Sequence, residues 1–217
     1  LNGEKDVFRK HHYENFLKSG VTSAIWVIWT DPEHLDNPKK RTRQIINSML
    51  EEFAEASDIL NIVRRYEDLT KGLEENKINI LIGMEGLAHI ENDIDLIESY
   101  YNDIGLRHAS LTWNERNILA SGVDDAINGV TYLGQKAIEK IEELGILLDV
   151  SHLNEKPFWG VVDAASGPII ASHSNAKKFA NVKRNLDDKQ LCAIAKSGGL
   201  VGINGVSVFV NDDKNKQ

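Results

Sequence analysis

The sequence predicts an α/β fold with a parallel sheet, because short apolar and β-branched runs alternate with longer stretches of helical periodicity. The predicted strands are residues 21–29, 78–83, 106–112, 146–150, 168–171 and 199–204. The predicted helices are residues 41–57, 93–102, 131–144, 155–165 and 187–196, and the ambiguous segment 59–76 fits a short strand followed by a helix. These strands fit either an open doubly wound sheet or a (β/α)8 barrel, and their order in the sequence does not decide between the two.

The helix predicted for residues 131–144 has the clearest apolar face. Its apolar residues recur at three- and four-residue steps: Tyr132, Leu133, Ala137, Ile138, Ile141 and Leu144. This spacing places them along one side of an α-helix. Gly145 follows at the position where a helix is expected to end, and the next predicted strand begins directly after it.

Length and charge limit the classes of protein to which this chain can belong. Its 217 residues include 25 Lys and Arg against 33 Asp and Glu, which gives a net charge of −8, and 41% of the residues are hydrophobic. A chain of this length forms one substantial core, so we predict a single domain over residues 1–217. The negative charge argues against a general nucleic-acid binder and against binding to anionic membrane surfaces.

The chain ends and the single cysteine give expectations about location. No apolar run approaches the ~20 residues that span a bilayer, so we expect no membrane-spanning segment. Cys192 has no second cysteine with which to pair, and the start of the chain lacks a signal-peptide pattern. These observations favour a cytoplasmic location. The chain begins at Leu1 and ends in the polar run 211–217, and we expect it to be incomplete.

One glutamate and two histidines follow predicted strands at equivalent positions. Glu85 lies in the sequence Gly83-Met-Glu-Gly86, and His152 and His173 each follow a serine just after a later strand. Because the carboxyl ends of parallel strands meet at one rim of a sheet, we expect these three side chains to lie together. Carboxylate oxygens and imidazole nitrogens are the ligands that Zn²⁺ and similar ions favour. The alternative is that the histidines are ordinary loop or interior residues and that the glycines only form a turn.

Other residues near the same rim are candidates for supporting roles. Arg184 lies in a loop where its guanidinium group can grip a substrate carboxylate, although an arginine that bridges surface acids is the alternative. Trp113 and Asn114 follow a predicted strand and are assigned to substrate binding, with burial in the core as the alternative for the tryptophan. Asp149 is a candidate for orienting a ligand, although its side chain is expected to point the other way along the strand. His89, in the loop after Glu85, is predicted to lie at the surface, with a position lining the site as the alternative.

The short motifs of the chain occur in a recognisable order. They are Gly83-Met-Glu-Gly86, Gly105-Leu-Arg107 with Leu111-Thr-Trp-Asn114, Leu148-Asp-Val-Ser-His152, Ala171-Ser-His-Ser-Asn175 and Arg184-Asn185. In these motifs the chain resembles the membrane (renal) dipeptidase family, peptidase family M19. The resemblance covers about residues 20–204, and the 21-residue step between the two histidines also fits.

The resemblance implies a (β/α)8 barrel of amidohydrolase type, with its first and last strands missing from this chain, and two zinc ions in the complete protein. Glu85 is similar to the catalytic carboxylate that bridges both metals, and His152 and His173 are similar to ligands of the second metal. Arg184 is similar to the residue that contacts the carboxylate of a dipeptide. In this family a metal-bridging hydroxide attacks the peptide carbonyl, so the resemblance implies a zinc-dependent dipeptidase with a small dipeptide substrate. Members often form dimers, and a homodimer is expected by analogy.

The chain departs from the family's pattern at three places. It has no His-x-Asp pair after a first strand and no aspartate on a last strand, and Trp113 stands where many members have histidine. We therefore expect this chain alone to be catalytically poor. Because of Trp113, a second hypothesis stays open: the protein is a metal-dependent amidohydrolase that acts on another small amide. The missing ligands leave open a non-catalytic barrel that serves as a binding or scaffolding protein.

Overall fold

A computed structural model describes residues 3–125 and 128–213, so the last four residues of the polar run 211–217 lie outside the described residues. The strands are β1 (Ser23–Trp29), β2 (Leu60–Ile62), β3 (Ile78–Glu85), β4 (Leu106–Ser110), β5 (Leu147–Asp149) and β6 (Ile169–Ile170). The α-helices are α1 (Glu14–Ser19), α2 (Pro38–Glu55), α3 (Tyr66–Glu74), α4 (Asp95–Asp103), α5 (Tyr132–Glu143), α6 (Glu155–Ala164), α7 (Asp188–Lys196) and α8 (Ser207–Val210). The predicted alternation of strands and helices is confirmed, including the short strand and helix within residues 59–76.

The first of two compact units comprises the described residues up to Met84 together with Ser99–His108. In this unit β3 pairs with β1, β2 and β4. The β2–β3 pair is parallel, with Leu60 opposite Ile78. Six of the eight β3 residues are buried, because both faces of the strand are covered. This burial explains why the sequence of β3 is a nearly continuous apolar run.

Helix α2 packs the core of the first unit along one side. It begins after Asn37, whose side chain accepts a hydrogen bond from the backbone N–H of Lys40. Ile46, Met49 and Phe53 recur at three- and four-residue steps and are buried. The Phe53 ring meets that of Trp26 edge-on, with ring centroids 5.1 Å apart. The largest buried side chains of the unit include Ile28, Ile80, Ile82 and Leu106.

The second unit comprises Glu85–Glu98 and the described residues from Ala109 onward. It contains the last residue of β3, the end of β4, and the neighbouring strands β5 and β6. β5 and β6 are parallel, with Asp149 opposite Ile170, and α6 connects them. Because parallel strands joined through a helix run in the same direction, the segments that follow β5 and β6 emerge at the same edge.

The predicted apolar face of helix α5 is confirmed except at its first residue. Ala137, Ile138 and Ile141 are buried in the second unit. Tyr132 is 75% exposed, and the Nζ atom of Lys136, one turn further along the helix, is 5.8 Å from the tyrosine ring centroid. Among the described residues, every helix is too short or too polar to span a lipid bilayer.

The strand predicted for residues 199–204 is only partly formed, with backbone hydrogen bonds from Ala171 N–H to the Leu200 carbonyl and from Gly202 N–H to the Ala171 carbonyl. In the described part of the chain this segment pairs with its neighbour through an isolated parallel bridge between Val201 and Ala171. Ile203 is 86% exposed, so the apolar run is not a buried strand. The surface position predicted for His89 is wrong. Its side chain is buried with those of Leu87 and Ile90, because the turn after β3 folds back onto the core.

Candidate metal centre

Three side chains from three strand ends converge on one point in the second unit. Glu85 Oε1 lies 2.9 Å from His152 Nε2 and 3.2 Å from His173 Nε2. The two Nε2 atoms are 2.8 Å apart. Glu85 is the last residue of β3, and the histidines lie three residues after the ends of β5 and β6. The structure thus brings together the three residues that the sequence singles out as metal ligands.

The turn after Glu85 requires a glycine. Gly86 has a φ of +79°, and a Cβ atom at this position would lie 3.0 Å from the backbone nitrogen of Trp113. Its N–H donates to Ser110 Oγ over 3.0 Å, and the Ser110 hydroxyl donates to the carbonyl of Thr112. These contacts connect the end of β3 to the segment that follows β4.

His152 has an unusual backbone conformation. Its φ is +68°, a left-handed conformation that is uncommon for residues other than glycine. Two hydrogen bonds fix the residue: its carbonyl accepts from the N–H of Val123 over 2.9 Å, and its Nδ1 donates to Asn114 Oδ1 over 2.6 Å. Such strain persists only where the surrounding structure over-determines the conformation, and it is concentrated at functional sites.

The segment around Gly122 connects the loop of Asn114 with that of His152. The N–H of Gly122 donates to the carbonyl of Glu115 over 3.0 Å, and the N–H of Asp124 donates to the carbonyl of Asn114 over 2.9 Å. Gly122 also forms an isolated antiparallel bridge with Leu153. The backbone therefore sets the distance between the Asn114 amide and the His152 ring.

His173 is oriented by a serine and an aspartate. Its Nδ1 lies 2.7 Å from Ser172 Oγ, and the Ser172 hydroxyl makes a short hydrogen bond to Asp149 Oδ2. Asp149 Oδ1 accepts from the N–H groups of Ser151 and Ser172, over 2.8 and 3.1 Å. Asp149, which is fully buried, therefore acts on His173 through Ser172.

The hydrogen bonds at Nδ1 determine which nitrogen of each ring is free to bind a metal. An amide oxygen and a carboxylate only accept hydrogen bonds. The Asn114 oxygen therefore requires a proton on Nδ1 of His152, and the Ser172 hydroxyl, which donates to Asp149, accepts from Nδ1 of His173. A neutral imidazole has one N–H, so both Nε2 atoms present lone pairs towards Glu85 Oε1.

Three lone-pair atoms this close together fit a divalent cation. In a tetrahedral site, ligands ~2.0–2.2 Å from a metal ion are about 3.3–3.6 Å apart. The three atoms here, 2.8–3.2 Å apart, would need to separate by only a few tenths of an ångström to reach that spacing. The remaining ring nitrogens have acceptors of their own, as is usual for histidines that bind metals. One such group of ligating side chains, with atoms all within 4.8 Å of one another, is found in the described residues.

The electrostatics of the group favour the forms that bind metals. Burial by itself would raise the pKa of Glu85, but once His152 and His173 are protonated their hydrogen bonds and positive charge outweigh it and lower that pKa to about 2. Burial lowers the pKa of His152 below its usual value of 6.5, and the nearby Arg184 contributes in the same direction. At neutral pH the site thus contains a carboxylate and an uncharged His152 ring.

The predicted substrate-binding residues border the same group. Arg184 is buried, and its Nη2 donates to the carbonyl of His173 over 3.1 Å. The half-buried Trp113 ring lies tilted against the His152 ring, with centroids 5.8 Å apart. The side-chain oxygen of Asn114 contacts Nδ1 of His152, so Asn114 lies on the side of this ring away from the Nε2 atom that faces Glu85. Substrate binding by these three residues stays a prediction.

Sequence reasoning missed two residues near the group. Ser172 stands in one of two Ser-His pairs, and this repeated pair was the available signal, although it does not say which serine contacts a ring. Glu115 is a partly buried carboxylate whose pKa is raised by burial and by the charges of Asp124 and Glu85. No sequence pattern points to its burial.

Comparisons with known proteins agree with this geometry. The sequence model of the family described as membrane dipeptidase (peptidase family M19) matches residues 2–217. An uncharacterized protein from the PQQ-III 3′ region of Acinetobacter calcoaceticus is 32% identical over 193 residues, which are 84% of this chain and 61% of the relative. An uncharacterized protein from the pqqA 5′ region of Klebsiella pneumoniae is 33% identical over 153 residues, which are 67% of this chain and 56% of the relative.

A solved structure gives the same fold. The chain matches a metallo peptidase from Rhodobacter sphaeroides, liganded with a phosphinate mimic of the dipeptide L-Ala-D-Ala, with a TM-score of 0.87 at 23% identity. The match covers 94% of this chain and 67% of the other, and the chain spans 61% and 56% of the two curated relatives. The predicted α/β fold with a parallel sheet is confirmed and is consistent with the (β/α)8-type barrel.

Proposed function

Because the chain belongs to the membrane dipeptidase family, peptidase family M19, we propose that it forms the metal-binding part of a dipeptidase that hydrolyses the peptide bond of dipeptides. One observation supports this most strongly. Glu85, His152 and His173 direct three lone-pair atoms at a common point, while the Nδ1 protons of the two histidines are hydrogen-bonded to other residues. The phosphinate dipeptide mimic bound by the Rhodobacter sphaeroides metallo peptidase supports a dipeptide as the substrate class.

Zinc is the metal that we propose. Two imidazole nitrogens and one carboxylate oxygen are a common ligand set for catalytic zinc, with a further position left open for water or substrate. Magnesium and calcium favour sites made only of oxygen ligands. Glu85 has a second carboxylate oxygen, which would be available to the second ion expected in the complete protein.

In this proposal some residues of the chain bind the metal, and others bind the substrate or limit the access of water. When bound, a divalent cation supplies Lewis acidity, which polarises the peptide carbonyl and lowers the pKa of water. Glu85, His152 and His173 would hold this cation at the strand ends. Arg184 binds the substrate carboxylate, and its buried guanidinium group keeps its charge because arginine is not deprotonated in proteins. Trp113 forms a wall that limits access of water to the His152 ring.

The test is metal content and dipeptide hydrolysis by the purified protein. We expect bound zinc and turnover of dipeptides, both lost with a chelator and restored by zinc. Glu85→Gln removes a charged ligand and is expected to lower zinc content and turnover together, by at least tenfold. Glu139→Gln, at an exposed carboxylate on α5, is the matched control and keeps both.

Other outcomes distinguish the alternatives. Turnover of small non-peptide amides but not of dipeptides would favour the broader amidohydrolase. Bound zinc without turnover of either class would favour a non-catalytic barrel. Wild-type levels of zinc and activity in Glu85→Gln would overturn the assignment of the site. The homodimer and the cytoplasmic location stay predictions from the sequence.

A further inference from the structure

We propose that Ser172 and Asp149 are a positioning pair that holds His173 in the tautomer with its proton on Nδ1, so that Nε2 is always free to bind the metal. The inference rests on the proposed function, because it concerns a ligand of the same site. The inference assigns a positioning role to two residues that contact neither the proposed metal ion nor a substrate.

Strand register brings the two residues together. Asp149 ends β5 and lies opposite Ile170 of β6, and Ser172 follows Ile170 by two residues. Ser172 lies in the turn that follows β6, and its backbone N–H donates to Asp149 Oδ1 over 3.1 Å, which holds the serine next to the end of β5. The short hydrogen bond from Ser172 Oγ to Asp149 Oδ2 is the result.

Asp149 fixes the direction of the serine hydroxyl. A free serine hydroxyl next to Nδ1 could donate to the ring, and the ring proton would then move to Nε2 and block metal binding. Asp149 is 1% exposed, and it accepts from the Ser151 and Ser172 amides as well as from the hydroxyl. With its proton committed to this buried carboxylate, Ser172 presents only an acceptor to His173 Nδ1.

His173 needs this constraint more than His152 does. The His152 side chain is 9% exposed and its Nδ1 contacts the amide oxygen of Asn114 directly. The His173 side chain is 34% exposed. Water, which can donate as well as accept, therefore competes at the more exposed ring, and a fixed acceptor at Nδ1 selects one tautomer. The two ligands thus reach the same protonation pattern by different means.

The experiment measures the tautomer directly in the metal-free full chain. Long-range ¹H–¹⁵N correlations distinguish an imidazole protonated on Nδ1 from one protonated on Nε2, and loss of signals in His173→Asn assigns the ring. We expect wild-type His173 to be protonated on Nδ1. In Ser172→Ala we expect a mixture of tautomers and zinc affinity lower by about 10–100-fold, measured by competition with a chelator.

Two further variants make the result specific. Ser172→Thr keeps the hydroxyl and is expected to restore both the tautomer and the affinity. Ser174→Ala removes a buried hydroxyl that makes no hydrogen bond in the described structure, and it should change neither. If Ser172→Ala fails to fold, the wild-type tautomer and the threonine variant still test the inference.

The outcomes separate this inference from the proposed function. An Nε2-protonated His173 in the wild-type chain, or an unchanged tautomer and affinity in Ser172→Ala, would overturn the positioning role even if the protein is a zinc dipeptidase. If wild-type His173 is protonated on Nδ1 but zinc does not bind, the proposed function fails while the hydrogen-bond role stands.

Discussion

The left-handed backbone of His152 is held in place by hydrogen bonds from other segments of the second unit. A left-handed conformation at a residue other than glycine costs about 1–3 kcal/mol. The bond from Val123 to its carbonyl and the bond from its ring to Asn114 hold the residue there. The conformation turns the ring back towards Glu85 and His173, so the strain accompanies the ligand geometry.

The burial of His152 predicts a pH dependence of stability in the metal-free chain. Its folded-state pKa is below 6.5, its value in the unfolded chain, and the ring faces Glu85, His173 and Arg184. The unfolded chain therefore binds a proton first as the pH falls. The free energy of unfolding is therefore highest above pH ~6.5. It falls as the pH drops from there to the folded-state pKa, by up to about 1.4 kcal/mol per pH unit.

This dependence is checked by urea unfolding between pH 7.5 and 5.5. The depressed pKa of Glu85, about 2 against 4.5, causes a loss of stability only at lower pH and does not interfere. His152→Asn, which tolerates the left-handed backbone, is expected to flatten the decline, and His12→Asn at an exposed histidine is the control. The same slope in wild type and His152→Asn would contradict the prediction.

At the scale of elements, the segment around Gly122 is sensitive to the addition of a single methyl group. A Cβ atom at Gly122 would lie 2.2 Å from the carbonyl oxygen of Trp113 and 2.4 Å from the carbonyl group of Asn114. These are backbone atoms, so the clash can be relieved only by moving the loop that supports His152. We expect Gly122→Ala to lower the free energy of unfolding by about 3 kcal/mol and to weaken zinc binding.

The measurement is chemical unfolding together with chelator competition. Gly129→Ala is the matched control, because its added Cβ would meet only the Lys156 side chain at 3.7 Å. A change within about 0.5 kcal/mol is expected for that variant. If Gly122→Ala were equally mild, the bridge between the two loops would not set the position of Asn114.

The sequence predicts site residues well where they directly follow an apolar run that forms a strand. Glu85, His152 and His173 were found because each follows an apolar strand, and parallel strands end at one edge. The contact between Asp149 and Ser172 could not be predicted, since it depends on the register between β5 and β6. The sequence of β5 alone indicated only that Asp149 points away from His152.

Other differences have the same origin in packing across the chain. The segment 199–204 has the composition of a strand, but in the part of the chain that is described its pairing is limited to a bridge at Val201 and a few backbone hydrogen bonds of Leu200 and Gly202. His89 is expected at the surface because it lies in the loop after Glu85, whereas the turn folds onto buried Leu87 and Ile90. Helix α1 has no buried residue, so it shows no apolar period from which it could be predicted.

At the scale of the whole molecule, the ligands connect parts of the chain that are far apart in sequence. Glu85 and His152 are separated by 67 positions, from 85 to 152, and His173 lies a further 21 along. All three residues lie in the second unit: Glu85 is the last residue of β3, and the histidines follow β5 and β6. An ion bound by all three is present only in the folded chain, so binding stabilises the entire arrangement rather than one loop.

Zinc is therefore expected to raise the melting temperature of the full chain. At a free concentration 100 times the Kd, a ligand that binds only the folded state adds about 2.7 kcal/mol, which corresponds to a shift of about 5–10 °C for a chain of this size. Magnesium at the same concentration should give no comparable shift, because it prefers oxygen ligands and retains its water. His173→Ala removes one of the three ligands and should abolish most of the zinc effect, whereas His12→Ala at an exposed histidine should retain it. A zinc-dependent shift of equal size in His173→Ala would mean that the stabilising ion is bound elsewhere.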